Sequence, residues 1–131
     1  MIPGFRLNPS NDRAVGPMVK FVQAQTLPGT ILVIAPDYFD KTYLYHADLN
    51  AFQDYTHWNE NLTTRRIFPV NGYNSLPQAT LDSAERVILL DADIQFVYPE
   101  NGILEGLKGR FQLVKSQHFE KGMDVYLLEK R

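Results

Sequence analysis

Six consecutive residues, Thr30-Ile31-Leu32-Val33-Ile34-Ala35, give an extended backbone almost no polar side chain on either side. Successive side chains of a strand point to opposite faces, so such a run needs cover from above and below. Arg86-Val87-Ile88-Leu89-Leu90-Asp91 repeats the pattern. Doubly buried strands alternating with helix-like sequence imply a mostly parallel sheet wrapped by helices. Neither apolar run approaches the roughly 20 residues that a membrane helix needs, and Met1-Ile2-Pro3-Gly4 does not begin a secretory signal. A chain of 131 residues is one domain's worth, and 44% hydrophobic with 21% charged residues is ordinary globular composition. A formal net charge of −2 gives little counterion-release attraction, so no nucleic-acid partner is expected. With no cysteine, disulfides, thiolate zinc sites and cysteine nucleophiles are excluded.

Residues 1–12, with Pro3, Gly4 and Pro9, read as a lead-in, and 13–131 as a single domain. Pro17 suits a first helical position, and Met18, Phe21, Val22 and Gln25 form a stripe that ends at Leu27-Pro28-Gly29. After the first strand, Asp40 is expected to cap a second helix. Leu44, Ala47, Ala51, Tyr55, Trp58 and Leu62 recur at helical spacing, with Asp48 and Asn50 as candidate breaks. Arg66 to Val70 reads as a strand that Pro69 confines to an edge. A short helix near Pro77 precedes the Arg86–Asp91 strand. A fourth helix is expected to open at Pro99-Glu100, bury Ile103, Leu104 and Leu107, and stop at Gly109. Phe111–Phe119 and Met123–Leu128 form a terminal hairpin around Gly122. The expected fold is therefore a three-layer, Rossmann-like α/β domain. It has a mostly parallel sheet, helices on both faces and a C-terminal antiparallel hairpin.

Ligands of open α/β sheets bind beyond the carboxyl ends of the strands. The turn Pro36-Asp37-Tyr38-Phe39-Asp40 contains no glycine, so it is not a dinucleotide or phosphate cradle, and no GxGxxG or P-loop occurs elsewhere. No cofactor is expected. Leu90-Asp91-Ala92-Asp93 looks like the DxD motif with which nucleotide-sugar glycosyltransferases hold a divalent metal against a diphosphate. The alternative is that Asp91 ends the strand and Asp93 makes a solvated turn. His46 and Asp48 point about 200° apart on a helix and cannot chelate together. His57 and Asp54 can meet as a surface hydrogen bond, and His118 has no evident partner. No metal site is assigned, and no serine or threonine lies in a nucleophile elbow. The aromatic residues Tyr38, Phe39, Tyr43, Tyr45, Phe52, Tyr55 and Trp58 read either as a stacking platform or as core and lid packing.

Pro28-Gly29-Thr30-Ile31-Leu32-Val33-Ile34-Ala35-Pro36-Asp37-Tyr38-Phe39, Tyr43-Leu44-Tyr45-His46 and the Phe52/Tyr55 pair carry a resemblance at the front of the chain. Arg86–Leu90, Ile103-Leu104-x-x-Leu107, Phe111–Val114 and Val125-Tyr126-Leu127-Leu128 carry it at the end. Together they resemble the extracytoplasmic C-terminal domain of bacterial multi-pass glycosyltransferases related to protein mannosyltransferases and aminoarabinose transferases. The resemblance implies a non-catalytic piece of an enzyme that moves sugar from a polyprenyl-phosphate donor, located on the periplasmic face of a bacterial membrane. Its implied partners are the membrane-embedded part of the same polypeptide and a glycan or lipid-linked sugar. It transfers no catalytic residue onto this chain. The binding residues expected at the sheet rim are Asp37, Tyr38, Asp91 and Asp93. The alternatives are a free-standing nucleotide-sugar enzyme using the Asp91/Asp93 pair with a metal, and an α/β interaction module without catalysis.

Overall fold

The computed structural model describes residues 9–120 and 122–131, with side chains from Ala14 onward. In chain order the elements are α1 (Pro9–Gln25), β1 (Thr30–Ala35), α2 (Phe39–Ala47), α3 (Leu49–Gln53), α4 (Trp58–Thr64) and β2 (Ile67–Pro69). They continue with α5 (Gln78–Ser83), β3 (Arg86–Ala92), α6 (Ile94–Val97), α7 (Ile103–Lys108), β4 (Phe111–Glu120) and β5 (Met123–Lys130). One mixed five-stranded sheet runs in the order β2-β1-β3-β5-β4. β1 is parallel to β2 and β3, while β5 is antiparallel to both β3 and β4.

β1 occupies the interior that its composition demands, with every residue buried. Its side chains alternate between two apolar clusters. Leu32 and Ile34, with Ile88 and Leu90 of β3, pack against α1 to α4. Ile31, Val33 and Ala35, with Val87 and Leu89, pack against α5 to α7. Fully burying such a side chain stabilises the fold by roughly 1.5–3 kcal/mol, so a two-faced strand is held by both sets of helices at once.

Several boundaries differ from the expectations. Of the expected lead-in, residues 1–8 lie outside the described residues, and from Pro9 the chain is already helical. Pro17 is therefore inside α1 instead of at its first position. The cost is limited because the preceding residue, Gly16, has no side chain for the proline ring to strike. Val15, Met18, Val19 and Val22 supply the buried stripe on both sides of the proline. Asp40 is not a cap: α2 starts one residue earlier, at Phe39, with no side-chain cap hydrogen bond. The helical region breaks at Asp48, whose carboxylate accepts the Ala51 N–H at 3.1 Å and caps α3. It breaks again at Asp54 ahead of a 3-10 turn over Tyr55–His57. Pro99 and Glu100 precede α7 without belonging to it. That helix opens after Gly102, at φ 65°, with the Asn101 side chain accepting the Ile103 N–H at 2.9 Å.

The terminal hairpin forms around Gly122 at φ 76°, a left-handed backbone that suits glycine. It does not sit wholly outside the sheet. β5, with Met123, Val125, Leu127 and Leu128 buried, is drawn in beside β3, and β4, exposed from Val114 to His118, becomes the edge. Lys115 and the β4 register shifts blunt that edge against pairing with another chain. At the other border Pro69 ends β2, an edge strand as its missing N–H requires. No helix of the described residues is long and apolar enough to cross a membrane.

Gly106 of α7 lies against the Tyr73 ring, where an added Cβ would collide. Alanine gains roughly 1 kcal/mol of helix propensity over glycine, whereas overpacking costs about 1–3 kcal/mol. Gly106→Ala is therefore expected to lower stability in urea unfolding. Tyr73→Ala in the same chain should make the alanine neutral or stabilising.

Candidate functional site

The parallel strands β2, β1 and β3 end on one rim of the sheet, which receives the loops after Pro69, Ala35 and Ala92. Asp37 and Tyr38 follow β1 in a short exposed turn, tied to the loop after β2 by the Asp37 N–H donating to Asn71 Oδ1 at 2.9 Å. Two hollows flank this tie. The larger, of about 480 Å³, lies between Asn71–Asn74 and Val97–Asn101, with Tyr73 and Tyr98 among its walls. The smaller, of about 210 Å³, lies beside the first turn of α2 and is walled by Asp37, Tyr38, Asp40, Lys41, Trp58 and Asn59.

Asp40 is the unusual group of the smaller hollow. It is only 5% exposed, although it is an acid in the first turn of a helix. Its Oδ2 accepts the Trp58 indole N–H at 3.2 Å. Its Oδ1 is buried and has no hydrogen-bond donor, with the Lys41 ammonium 3.8 Å away. Burial pushes the Asp40 carboxyl above the usual aspartate range, against the opposing pull of the Trp58 hydrogen bond and Lys41. The sequence assigned Asp40 to capping. The signal of a site here was the combination of this acid with Trp58, eighteen positions on, which helical spacing alone does not join.

Asp91 and Asp93 reach the same rim but turn towards the hairpin. Asp91 stands opposite Asp124 of β5, and its Oδ1 accepts the Ile94 N–H at 2.9 Å, closing the turn into α6. Burial is the main cause that pushes the Asp91 carboxyl up, and the neighbouring Asp124 charge adds to it. Asp93 adopts a left-handed backbone at φ 66°, with its side chain against Gly122. The strand end and turn thus employ both acids structurally. Across the hairpin, His118 Nδ1 lies 2.8 Å from Asp124 Oδ1, a partner that sequence spacing did not disclose because it depends on the β4–β5 register. Among the described residues no group of three or more histidines and acids is arranged to hold a metal ion.

The other candidates resolve simply. His57 and Asp54 form the expected surface pair at 3.0 Å, and the Asp54 hydrogen bond holds the imidazole above its ordinary value. Phe39 and Tyr43 are core residues, burial pushing the Tyr43 hydroxyl up to about 12. Phe52 stacks edge-on between Tyr45 and Trp58, while Tyr38 and Tyr55 are exposed. A third hollow, of about 380 Å³, opens at the opposite end of the strands beside Thr30, Ile67 and the Arg65–Asp48 ion pair. No family model, curated protein or solved structure matches the chain.

The raised Asp91 carboxyl has a thermodynamic consequence. Its folded form holds a proton more tightly than the unfolded chain, whose aspartate value is 3.8. Stability from this site is therefore intact below 3.8 and declines as pH rises through the folded value. Asp91→Asn keeps an acceptor for the Ile94 N–H and removes the charge. It should be more stable than the native chain at pH 7, and the gain should shrink as pH falls towards 3.8. Asp91→Ala, which loses the hydrogen bond as well, should fall below Asp91→Asn by about 1 kcal/mol in the same denaturation series.

Proposed function

We propose that this chain is a three-layer, Rossmann-like accessory domain of a membrane glycosyltransferase, without catalytic residues of its own. In this reading it stands on the periplasmic face of a bacterial membrane. Its rim, with Asp37, Tyr38, Asp91 and Asp93, meets the membrane-embedded part of the same polypeptide and the glycan or lipid-linked acceptor. Transfer from the polyprenyl-phosphate donor belongs to that membrane part.

The observation that carries the reading is the aromatic rim. Tyr38 is 58% exposed, Phe96 84% and Tyr98 42%, Tyr38 in the turn after β1 and Phe96 and Tyr98 on and just after α6, which follows β3. Rings held out of the core on one edge, beside two hollows, mark a contact surface more than a solvated one. The rim's acids, Asp37, Asp91, Asp93 and Glu100, make it a poor anion site, which favours a neutral acceptor or protein contact over a bare phosphate. A self-contained nucleotide-sugar enzyme is disfavoured by the same geometry. Asp91 is already committed to the Ile94 N–H, and Asp93 leans on the hairpin.

The coding sequence around Met1 tests this directly. Several membrane-length apolar segments continuous with the chain are expected, and an independent reading frame starting at Met1 overturns the reading. In the full-length enzyme, a Tyr38→Ala/Phe96→Ala double variant is expected to cut acceptor use about tenfold while donor binding is unchanged. That is a difference of about 1.4 kcal/mol. The isolated domain with a polyprenyl-phosphate sugar should give no turnover.

A further inference from the structure

We infer that the hollow at the end of the sheet opposite the rim, between α1, α2 and the start of β2, is a binding site for a small uncharged molecule. The ligand carries an apolar ring and a carbonyl oxygen, to which the Tyr43 hydroxyl donates. The inference lies beyond the reading of the rim and does not rest on it.

Tyr43 is only 6% exposed, yet its hydroxyl has no hydrogen-bond partner among the described residues. The oxygen is not sealed. It keeps accessible surface, and on a side chain this buried that surface opens onto the hollow of about 380 Å³ that Tyr43 lines. A polar group on a buried side chain without a partner is uncommon in folded proteins and needs a reason. Burial pushes this hydroxyl up to about 12, so at neutral pH it stays protonated and offers a donor. None of the residues walling the larger rim hollow is buried, so that hollow holds no comparable group.

The walls are fixed before a ligand arrives. Arg65 pairs with Asp48 at the border of the hollow; Asp48 also accepts the Ala51 N–H, and Arg65 donates to the Asn61 carbonyl at 3.2 Å. Gln23 Nε2 donates to the Ala47 carbonyl at 3.5 Å and ties α1 to the end of α2. Arg66, between the wall residues Arg65 and Ile67, has a left-handed backbone at φ 58°. Non-glycine residues keep that conformation only where their surroundings impose it. Here the Arg66 N–H donates to Thr63 O and its carbonyl accepts the Leu32 N–H. A preformed wall lowers the ordering cost of binding.

The lining selects the ligand class. Leu32, Leu44 and Ile67 make an apolar floor, which suits a ring better than a string of hydroxyls. Asp48 and Arg65 are the charged residues of the lining, and each already neutralises the other. An anion would have to compete with Asp48 for the guanidinium, and a cation with Arg65 for the carboxylate. An uncharged carbonyl avoids both conflicts and supplies the acceptor that the Tyr43 hydroxyl lacks. A volume of about 380 Å³ falls within the roughly 300–1,000 Å³ of small-molecule sites.

Tyr43→Phe isolates the hydroxyl. It keeps the ring in the core and strands no partner, so a change in binding reads the hydroxyl and not the fold. The test titrates the protein with acetophenone, with ethylbenzene, which has the same ring without the oxygen, and with benzoate and benzylammonium. Saturable amide shifts in NMR are expected at Thr30, Leu44 and Ile67 with acetophenone, with a Kd on the order of 1 mM as suits so small a ligand. Ethylbenzene should shift the same amides more weakly. Tyr43→Phe should weaken acetophenone binding about three- to tenfold, the worth of one neutral hydrogen bond, and leave ethylbenzene unchanged. Tyr73→Phe, at the rim, should leave both intact. The inference is overturned by silence up to about 20 mM acetophenone, or by shifts centred on Tyr73 and Tyr98. It is also overturned if Tyr43→Phe leaves acetophenone unchanged or weakens ethylbenzene as much, or if benzoate or benzylammonium binds more tightly. None of these outcomes bears on the accessory-domain reading, which the coding sequence around Met1 tests separately.

Discussion

The β1–β3 ladder is where the two apolar clusters share a common wall, because alternate side chains of the same two strands feed both. Neither strand can be left bare on one side without exposing several aliphatic side chains at roughly 25 cal/mol per Å² of apolar surface. That single condition forces α1 to α4 onto one face and α5 to α7 onto the other. It also forces β1 and β3 away from the borders, so the border positions fall to strands with a reason to be there. Pro69 supplies one such reason for β2, and the polar stretch of β4 supplies the other.

The functional rim follows from the same parallel arrangement. Parallel strands end together, so the loops after β1, β2 and β3 gather on one edge whatever their sequences are. What those loops lack is as informative as what they hold. With no glycine between Pro36 and Asp40, backbone N–H groups are not presented to a phosphate, and the first N–H groups of α2 turn inwards instead, Phe39 and Asp40 donating to the carbonyls of Pro36 and Asp37. Side chains are left to define the site.

Two acids on this rim, Asp40 buried and Asp91 partly buried, illustrate how environment separates similar residues. Asp91 and Asp40 are both pushed up chiefly by burial. Asp91 receives a backbone N–H and faces a second aspartate across the ladder, a structural role in closing the turn into α6. Asp40 receives one indole N–H from a different helix, stands beside a lysine, and keeps its other oxygen buried. The same side chain thus closes a turn in one place and ties two helices together in the other. The difference lies in what packs around each carboxyl, not in the carboxyl itself.

Periodicity made much of the fold legible: the doubly apolar β1 and β3, the edge position of β2, the end of α7 at Gly109 and the left-handed Gly122 all follow from local side-chain chemistry. Less was legible where a local rule had two outcomes. Pro17 fits a helix start or, after a glycine, a helix interior, and Asp40 fits a cap or a first-turn acid. In each case contacts distant in sequence chose between them. The Asp40–Trp58 bond and the His118–Asp124 pair exist only because α4 returns to α2 and β4 pairs with β5 in one register. The sequence by itself determined that two strands must be buried from both sides and that their ends lack a phosphate cradle, since alternation and glycine content are properties of neighbouring residues. Only the tertiary structure decided which acid caps a turn and which keeps an unpaired oxygen, because desolvation and hydrogen-bond supply depend on groups the chain brings in from afar.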